Sequence, residues 1–188
     1  MFEKVFCFNC QLHSTRANIV WGEGNCSNGV MLIGEAPGGD EDSQGRPFVG
    51  TAGKTLRQMI EEAGLEPSQC RITNTVKCRP PNNRRPAPAE RAACRTHLDA
   101  EIQRFAPKAI VTVGLTATQA ILGSKEPMAT LLEQAGSKGI DGYIAGANIP
   151  VFPCYHTSPL CVNRTPGAKG QIRRAIALAA ATTRVFRG

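Results

Sequence analysis

The sequence predicts an α/β protein in which a parallel sheet is covered on both faces by helices. Two observations carry this. Four short apolar, β-branched runs stand well apart in the chain, and the stretches between them place apolar residues at helical spacings of three and four. Strands that alternate with helices pair in parallel, and the crossovers cover the sheet. A length of 188 residues suits one domain, residues 1–188, with a substantial core.

The first strand is residues 30–35. A helix over 53–63 follows, with Leu56, Met59 and Ile60 on one face. Residues 72–77 form the second strand, and a helix over 88–105 carries Cys94, Leu98, Ile102 and Phe105 as its stripe. The third strand is 109–114, and a short helix opened by Thr116 runs to 122. The fourth strand is 149–156. A last helix over 168–186 turns Ile172, Ile176 and Ala179 inward and leaves Arg173 and Arg174 outside. Residues 79–88, with four prolines, read as an extended connection bearing cations, because proline cannot continue a helix interior.

Composition narrows the class. Hydrophobic residues at 41% and charged residues at 20% exclude a disordered chain, collagen and a coiled coil. No apolar run approaches the roughly 18 residues that a membrane span needs. The first residues, Met1 to Cys7, lack the layout of a signal peptide. A cytoplasmic location is expected, with the eight cysteines reduced and serving as metal ligands or buried thiols, not as a disulfide scaffold. The net charge of +7 is unevenly spread. Residues 71–95 hold seven basic side chains against one acid, and 163–188 hold six against none, whereas Glu35, Asp40, Glu41 and Asp42 crowd together. Basic stripes beside an acidic cluster suit a polyanion-binding surface around a carboxylate-bearing site; a solvated basic face is the plainer alternative.

Ligands of parallel sheets sit outside the carboxyl ends of the strands. That rule selects residues 34–38, 74–81, 114–115 and 156–158. In the first, glycines allow close backbone approach, but the pattern is neither a phosphate loop nor a dinucleotide fingerprint. The carboxylates of the run 34–42 suit support of a cationic sugar or placement of water during glycosidic cleavage, or else form an acidic surface turn. Phe48, between Pro47 and Val49-Gly50 in a constrained loop, is a stacking platform or a core residue. Asn74 lies in an apolar strand, where its amide either bonds nearby backbone or offers one donor and one acceptor to a nucleobase edge. His156 alone of three histidines follows a strand at the ligand edge. Leu160, next to Pro159, is a rigid apolar tip able to wedge into a base stack. Cys7-x-x-Cys10 is a weak metal signal alone. Cys78 at the start of the proline-rich loop and Cys94 on the inward stripe of the next helix can converge on it, and four thiolates fit zinc or an iron–sulfur cluster equally on spacing.

Taken together, GEAPGGDED (34–42), GRPFVGTAGKTL (45–56), NTVKCRPPNNR (74–84) and HTSPL (156–160) resemble the uracil-DNA glycosylase superfamily, specifically its family 4 enzymes, which carry an iron–sulfur cluster. The resemblance runs from Cys7 to about Arg164 in the family's order. It implies a three-layer α/β/α sandwich on a central four-stranded parallel sheet. It also implies a [4Fe–4S] cluster on Cys7, Cys10, Cys78 and Cys94, with zinc the less favoured occupant, and DNA containing uracil as substrate for a monomeric enzyme. By the same resemblance Glu35 and His156 are catalytic, Ala36, Glu41, Phe48 and Asn74 bind the base, and Leu160 is the wedge. Two departures stand out: His156-Thr157-Ser158 replaces the usual His-Pro-Ser, and Ala36 stands where the better-known branch has a water-positioning aspartate. The loop after the Asn-bearing strand has no histidine, unlike the covalent uracil-trapping relatives. Two other classes fit the residues: a non-catalytic, metal-stabilised nucleic-acid-binding module, and a hydrolase of free nucleosides.

Overall fold

In the computed structural model, residues 6–185 are described. The leader reading at residues 1–5, the expected helix end at Phe186 and the basic Arg187 lie outside them. The expected alternation is present. Five strands, β1 (Val30–Gly34), β2 (Arg71–Asn74), β3 (Ala109–Val113), β4 (Ile140–Ile144) and β5 (Ala147–Cys154), form one sheet in the order β2-β1-β3-β5-β4. Seven helices accompany them: α1 (Gly39–Gln44), α2 (Thr51–Glu62), α3 (Pro88–Phe105), α4 (Leu115–Leu122), α5 (Met128–Ala135), α6 (Pro159–Arg164) and α7 (Ala168–Val185). Among the described residues, no helix is long and apolar enough to cross a membrane.

The sheet has five strands where four were expected. β1, β2, β3 and β5 are the parallel four, and β4 adds an antiparallel edge against β5. β4 is short, and only Gly142 and Ile144 in it are buried, so its apolar signal is faint. It meets β5 through Ala145 and Gly146, both at positive φ (51° and 91°), a two-residue hairpin whose first position lacks the usual Asn or Asp. The helices α1, α5 and α6 also escaped the periodicity reading. Each spans eight residues or fewer, too short for a repeating stripe.

β1 is buried on both faces, and its side chains point alternately into the two layers. Val30 and Leu32 face one side with Leu56 and Ile60 of α2 and Ile172, Ile176 and Ala179 of α7. Met31 and Ile33 face the other with Leu98 and Ile102 of α3 and Ile121 of α4. A third, smaller cluster joins Leu12, Val76, Cys78 and Cys94 beside the end of β2. The proline-rich connection is more structured than an extended chain. It makes a 3-10 turn at Pro81–Asn83, with Asn82 and Asn83 both left-handed.

Candidate functional site

An open cleft of about 380 Å³ lies at the carboxyl ends of the parallel strands. Glu35, Ala36, Glu41, Phe48, Asn74 and His156 all line it. Leu160 does not; it stands 62% exposed in the first turn of α6. Pro80, Asn83, Arg84 and Ser158 line the cleft as well. All four fall within the segments 74–84 and 156–160 that carry the family resemblance, though none was singled out as a site residue.

The geometry centres on Gly34, the last residue of β1. A Cβ there would fall 2.4 Å from Phe48 Cζ and 2.5 Å from Asn74 Oδ1. Only glycine lets the Phe48 ring and the Asn74 amide approach the strand this closely. The cleft therefore has an aromatic face and an amide edge against one backbone position. Phe48 is held there from behind: its own φ is +53°, the backbone of Gly53 in α2 packs on its carbonyl, and Arg57 Nε donates to that carbonyl at 3.2 Å. Glu23 in turn pairs with Arg57 and Arg46. The side chain of Asn74 is almost fully buried yet makes no hydrogen bond to protein among the described residues, which leaves both halves of its amide for a ligand.

Glu41 ties two loops together. Its Oε2 accepts from Gly38 N–H at 3.1 Å, and its Oε1 accepts from Val49 and Gly50 N–H at 2.9 and 2.8 Å. The acidic run that reads as a turn is the first turn of α1, where carboxylates favour the exposed N–H groups. Asp42 is buried and accepts from Ala17 and Asn18 N–H, joining α1 to the N-terminal segment.

His156 is half-buried. Ser158 N–H donates to its Nδ1 at 3.1 Å, which places the ring proton on Nε2. Burial pushes its pKa below the ordinary 6.5, with Glu35 opposing more weakly. The side chain is thus a neutral imidazole with one donor, backed by Gly114. Between His156 and Ser158, Thr157 is fully buried and its Oγ1 has no hydrogen-bond partner among the described residues. An unpaired buried hydroxyl costs about 1–3 kcal/mol. Thr157→Val is expected to raise stability by about 1 kcal/mol, read as a higher denaturant midpoint at unchanged slope; a lower midpoint would mean the hydroxyl is bonded.

Cys7, Cys10, Cys78 and Cys94 line one second cavity. Three of the sulfurs meet nitrogen: Arg16 Nη1 donates to Cys78 Sγ at 3.3 Å, Lys77 N–H to Cys94 Sγ at 3.3 Å, and His97 Nε2 lies 3.2 Å from Cys7 Sγ. Burial pushes the Cys94 thiol up to about 11 and the Cys78 thiol upward too, so a cationic occupant is what would let these sulfurs ionise. Among the described residues, no group of three or more His, Cys, Asp or Glu side chains is placed to hold a metal ion.

A family model, uracil DNA glycosylase superfamily, matches residues 21–179. The chain belongs to the uracil-DNA glycosylase superfamily. Among the superfamily's curated members it is 40% identical to a Type-4 uracil-DNA glycosylase of Pyrobaculum aerophilum, over 92% of this chain and 87% of that protein. It is 44% identical to the Type-4 enzyme of Sulfurisphaera tokodaii, over 86% of this chain and 74% of the relative. A Type-5 uracil-DNA glycosylase of Pyrobaculum aerophilum is 31% identical over 76% of this chain. The superfamily match begins at Trp21 and so leaves out Cys7 and Cys10, whereas the Type-4 likeness extends over most of the chain.

Proposed function

We propose that this chain hydrolyses the N-glycosidic bond of deoxyuridine in DNA, releasing uracil and leaving an abasic site in an uncut strand. The observation that carries the reading is the pairing of the Phe48 ring and the unpartnered Asn74 amide against Gly34, with the neutral His156 donor on the same cleft. Duplex stacking hides the base, so it enters the cleft flipped. Phe48 stacks on it. Asn74 meets its Watson–Crick edge, and cytosine, with donor and acceptor reversed, leaves buried polar groups unpaired. Glu41, fixed by three backbone N–H groups, fills the space that a 5-methyl group needs. As the C1′–N bond breaks, its electron pair moves onto uracil, and His156 Nε2–H donates to the carbonyl that gains the charge. Glu35 supports the cationic sugar or orients water toward C1′; the water oxygen bonds to C1′ and its proton leaves to solvent. Among the described residues no lysine lines the cleft, which disfavours a Schiff base and strand scission.

The basic loop suits phosphate contact. Arg84, on the cleft wall, forms two bonds with Glu90, Arg79 donates to Asn83, and Arg85 donates to Gln119, so the loop's cations are held in place. We place Leu160 as the duplex wedge. Leu160→Ala is expected to slow excision from duplex several-fold while leaving single strands nearly unaffected. Equal slowing on both would remove it from that role.

We favour a [4Fe–4S] cluster on Cys7, Cys10, Cys78 and Cys94 over a single zinc, as the resemblance to the family 4 enzymes implies; the four thiols line one cavity and three of the sulfurs meet N–H donors or a histidine nitrogen. Such a cluster would supply cross-linking of the N-terminal segment, the end of β2 and α3. Protein prepared without oxygen is expected to hold about four irons per chain. Cys78→Ala should lose the iron and its absorbance and Cys26→Ala should keep both; stoichiometric zinc in a colourless active protein would contradict the cluster.

The function is tested with one oligonucleotide carrying uracil, thymine or cytosine at a single site, in single and double strands, and with free deoxyuridine. Alkali-labile breaks at uracil alone support the reading. Binding without breaks would mark a non-catalytic module, and cleavage of free deoxyuridine alone a nucleoside hydrolase.

A further inference from the structure

Behind the cleft lies a buried charged group that the mechanism above does not use. Lys77 is 1% exposed. Lysine is almost never so buried unless paired, and here all three ammonium protons are placed: Nζ donates to Thr73 Oγ1 at 2.5 Å, to the main-chain carbonyl of Asn74 at 2.9 Å and to Glu101 Oε2 at 2.6 Å. Glu101, on α3, is itself held by Arg71 and by the Thr73 hydroxyl, and these neighbours keep its carboxyl below the ordinary range against the opposing effect of burial.

β2 is an edge strand. On its open edge, Ile72 exchanges main-chain bonds with Glu23, the carbonyl of Ile72 accepting at 2.9 Å. Two residues further along the same edge is the carbonyl of Asn74, where no strand continues and Lys77 supplies the donor. An apolar side chain could fill the same space, and would do so without desolvating a charge. What the ammonium adds is direction. Three bonds fix Nζ, and Nζ fixes the carbonyl of the residue whose amide faces the base.

We propose that Lys77 is the positioning residue for Asn74, holding the end of β2 so that the Asn74 amide meets the base in one orientation. The inference rests on the reading of the cleft as a uracil site. Lys77 also faces the other centre, since its main-chain N–H donates to Cys94 Sγ. One residue therefore ties the base-reading amide to the four-thiol cavity, its side chain serving the first and its backbone the second.

The test compares Lys77→Met with the double variant Lys77→Met, Glu101→Gln. The readouts are iron content, thermal midpoint, and equilibrium binding to a strand bearing a non-cleavable 2′-fluoro-deoxyuridine against the same strand bearing the cytosine analogue. Lys77→Met is expected to reduce the preference for uracil about ten- to a hundredfold, the loss of one charge-assisted bond. The double variant also removes the charge that faces the buried Arg71 guanidinium, so its midpoint should stay below wild type, while the preference stays reduced. Wild-type preference in either variant, or recovery of midpoint and preference together, would overturn the proposal. A high-resolution crystal structure of the unliganded wild-type protein should show Asn74 in one rotamer; two would overturn it even if neither variant folds. Absence of any uracil preference in the wild type would defeat the functional reading instead, and leaves the rotamer test of Lys77 standing.

Discussion

His156→Ala is expected to lower single-turnover excision of uracil by about 10²–10³-fold, the usual loss for one well-placed donor to a developing anion. Affinity for a strand with a non-cleavable deoxyuridine analogue should change far less, because the bond strengthens only as charge reaches the base. The tautomer is fixed in the structure: Nδ1 accepts from Ser158 N–H, so Nε2 is the donor. The same bond gives a pH signature. Burial lowers the folded-state pKa of His156 below 6.5, so the unfolded chain takes up the proton first. Above about 6.5 this group adds no pH dependence; as pH falls from there through the lowered folded value, stability is lost. Wild-type protein should therefore lose melting temperature more steeply below pH 6.5 than His156→Gln. Near-normal single-turnover rates in His156→Ala would transfer the leaving-group role to another donor, with Ser158, on the same cleft, the nearest by sequence.

Asn74→Asp should have an effect of similar size, on the order of 10³-fold in excision with much smaller loss of DNA binding. Asn74 is 2% exposed, and its amide has no protein partner among the described residues. A carboxylate there cannot donate to the base and repels its acceptor edge. Burial should raise the pKa of the introduced group, and the protonated form regains one donor beside one acceptor. Residual activity of Asn74→Asp is thus expected to increase as pH falls, opposite to the stability trend of His156. Equal loss of binding and excision at every pH would make Asn74 a structural residue.

These residues were readable in the sequence because each sits at the carboxyl end of a strand, where a parallel sheet leaves its ligand edge. The four parallel strands and the long helices were equally readable, since their apolar periods span enough residues to stand above noise. What failed was short or indirect. β4 is a half-exposed edge, and its turn carries Ala145 where Asn or Asp would announce a hairpin. The acids 40–42 read as a carboxylate site or an acidic surface turn, with Glu41 a base contact by resemblance; neither reading showed that Glu41 and Asp42 spend their oxygens on backbone N–H groups of other segments. That is a tertiary fact with no local pattern. Gly34 reads in the sequence as a glycine allowing close backbone approach to a ligand; its role as the floor beneath Phe48 and Asn74 depends on two segments distant in sequence. Cys78 and Cys94 likewise join Cys7 and Cys10 only through the fold.

One conversion defines the activity, and intact mass spectrometry reads it directly. A single-uracil oligonucleotide incubated with the purified protein should yield one free uracil per strand and a full-length strand that has lost the base and gained water. An unchanged strand from folded, iron-loaded protein, or a strand cut at the uracil without alkali, would contradict it.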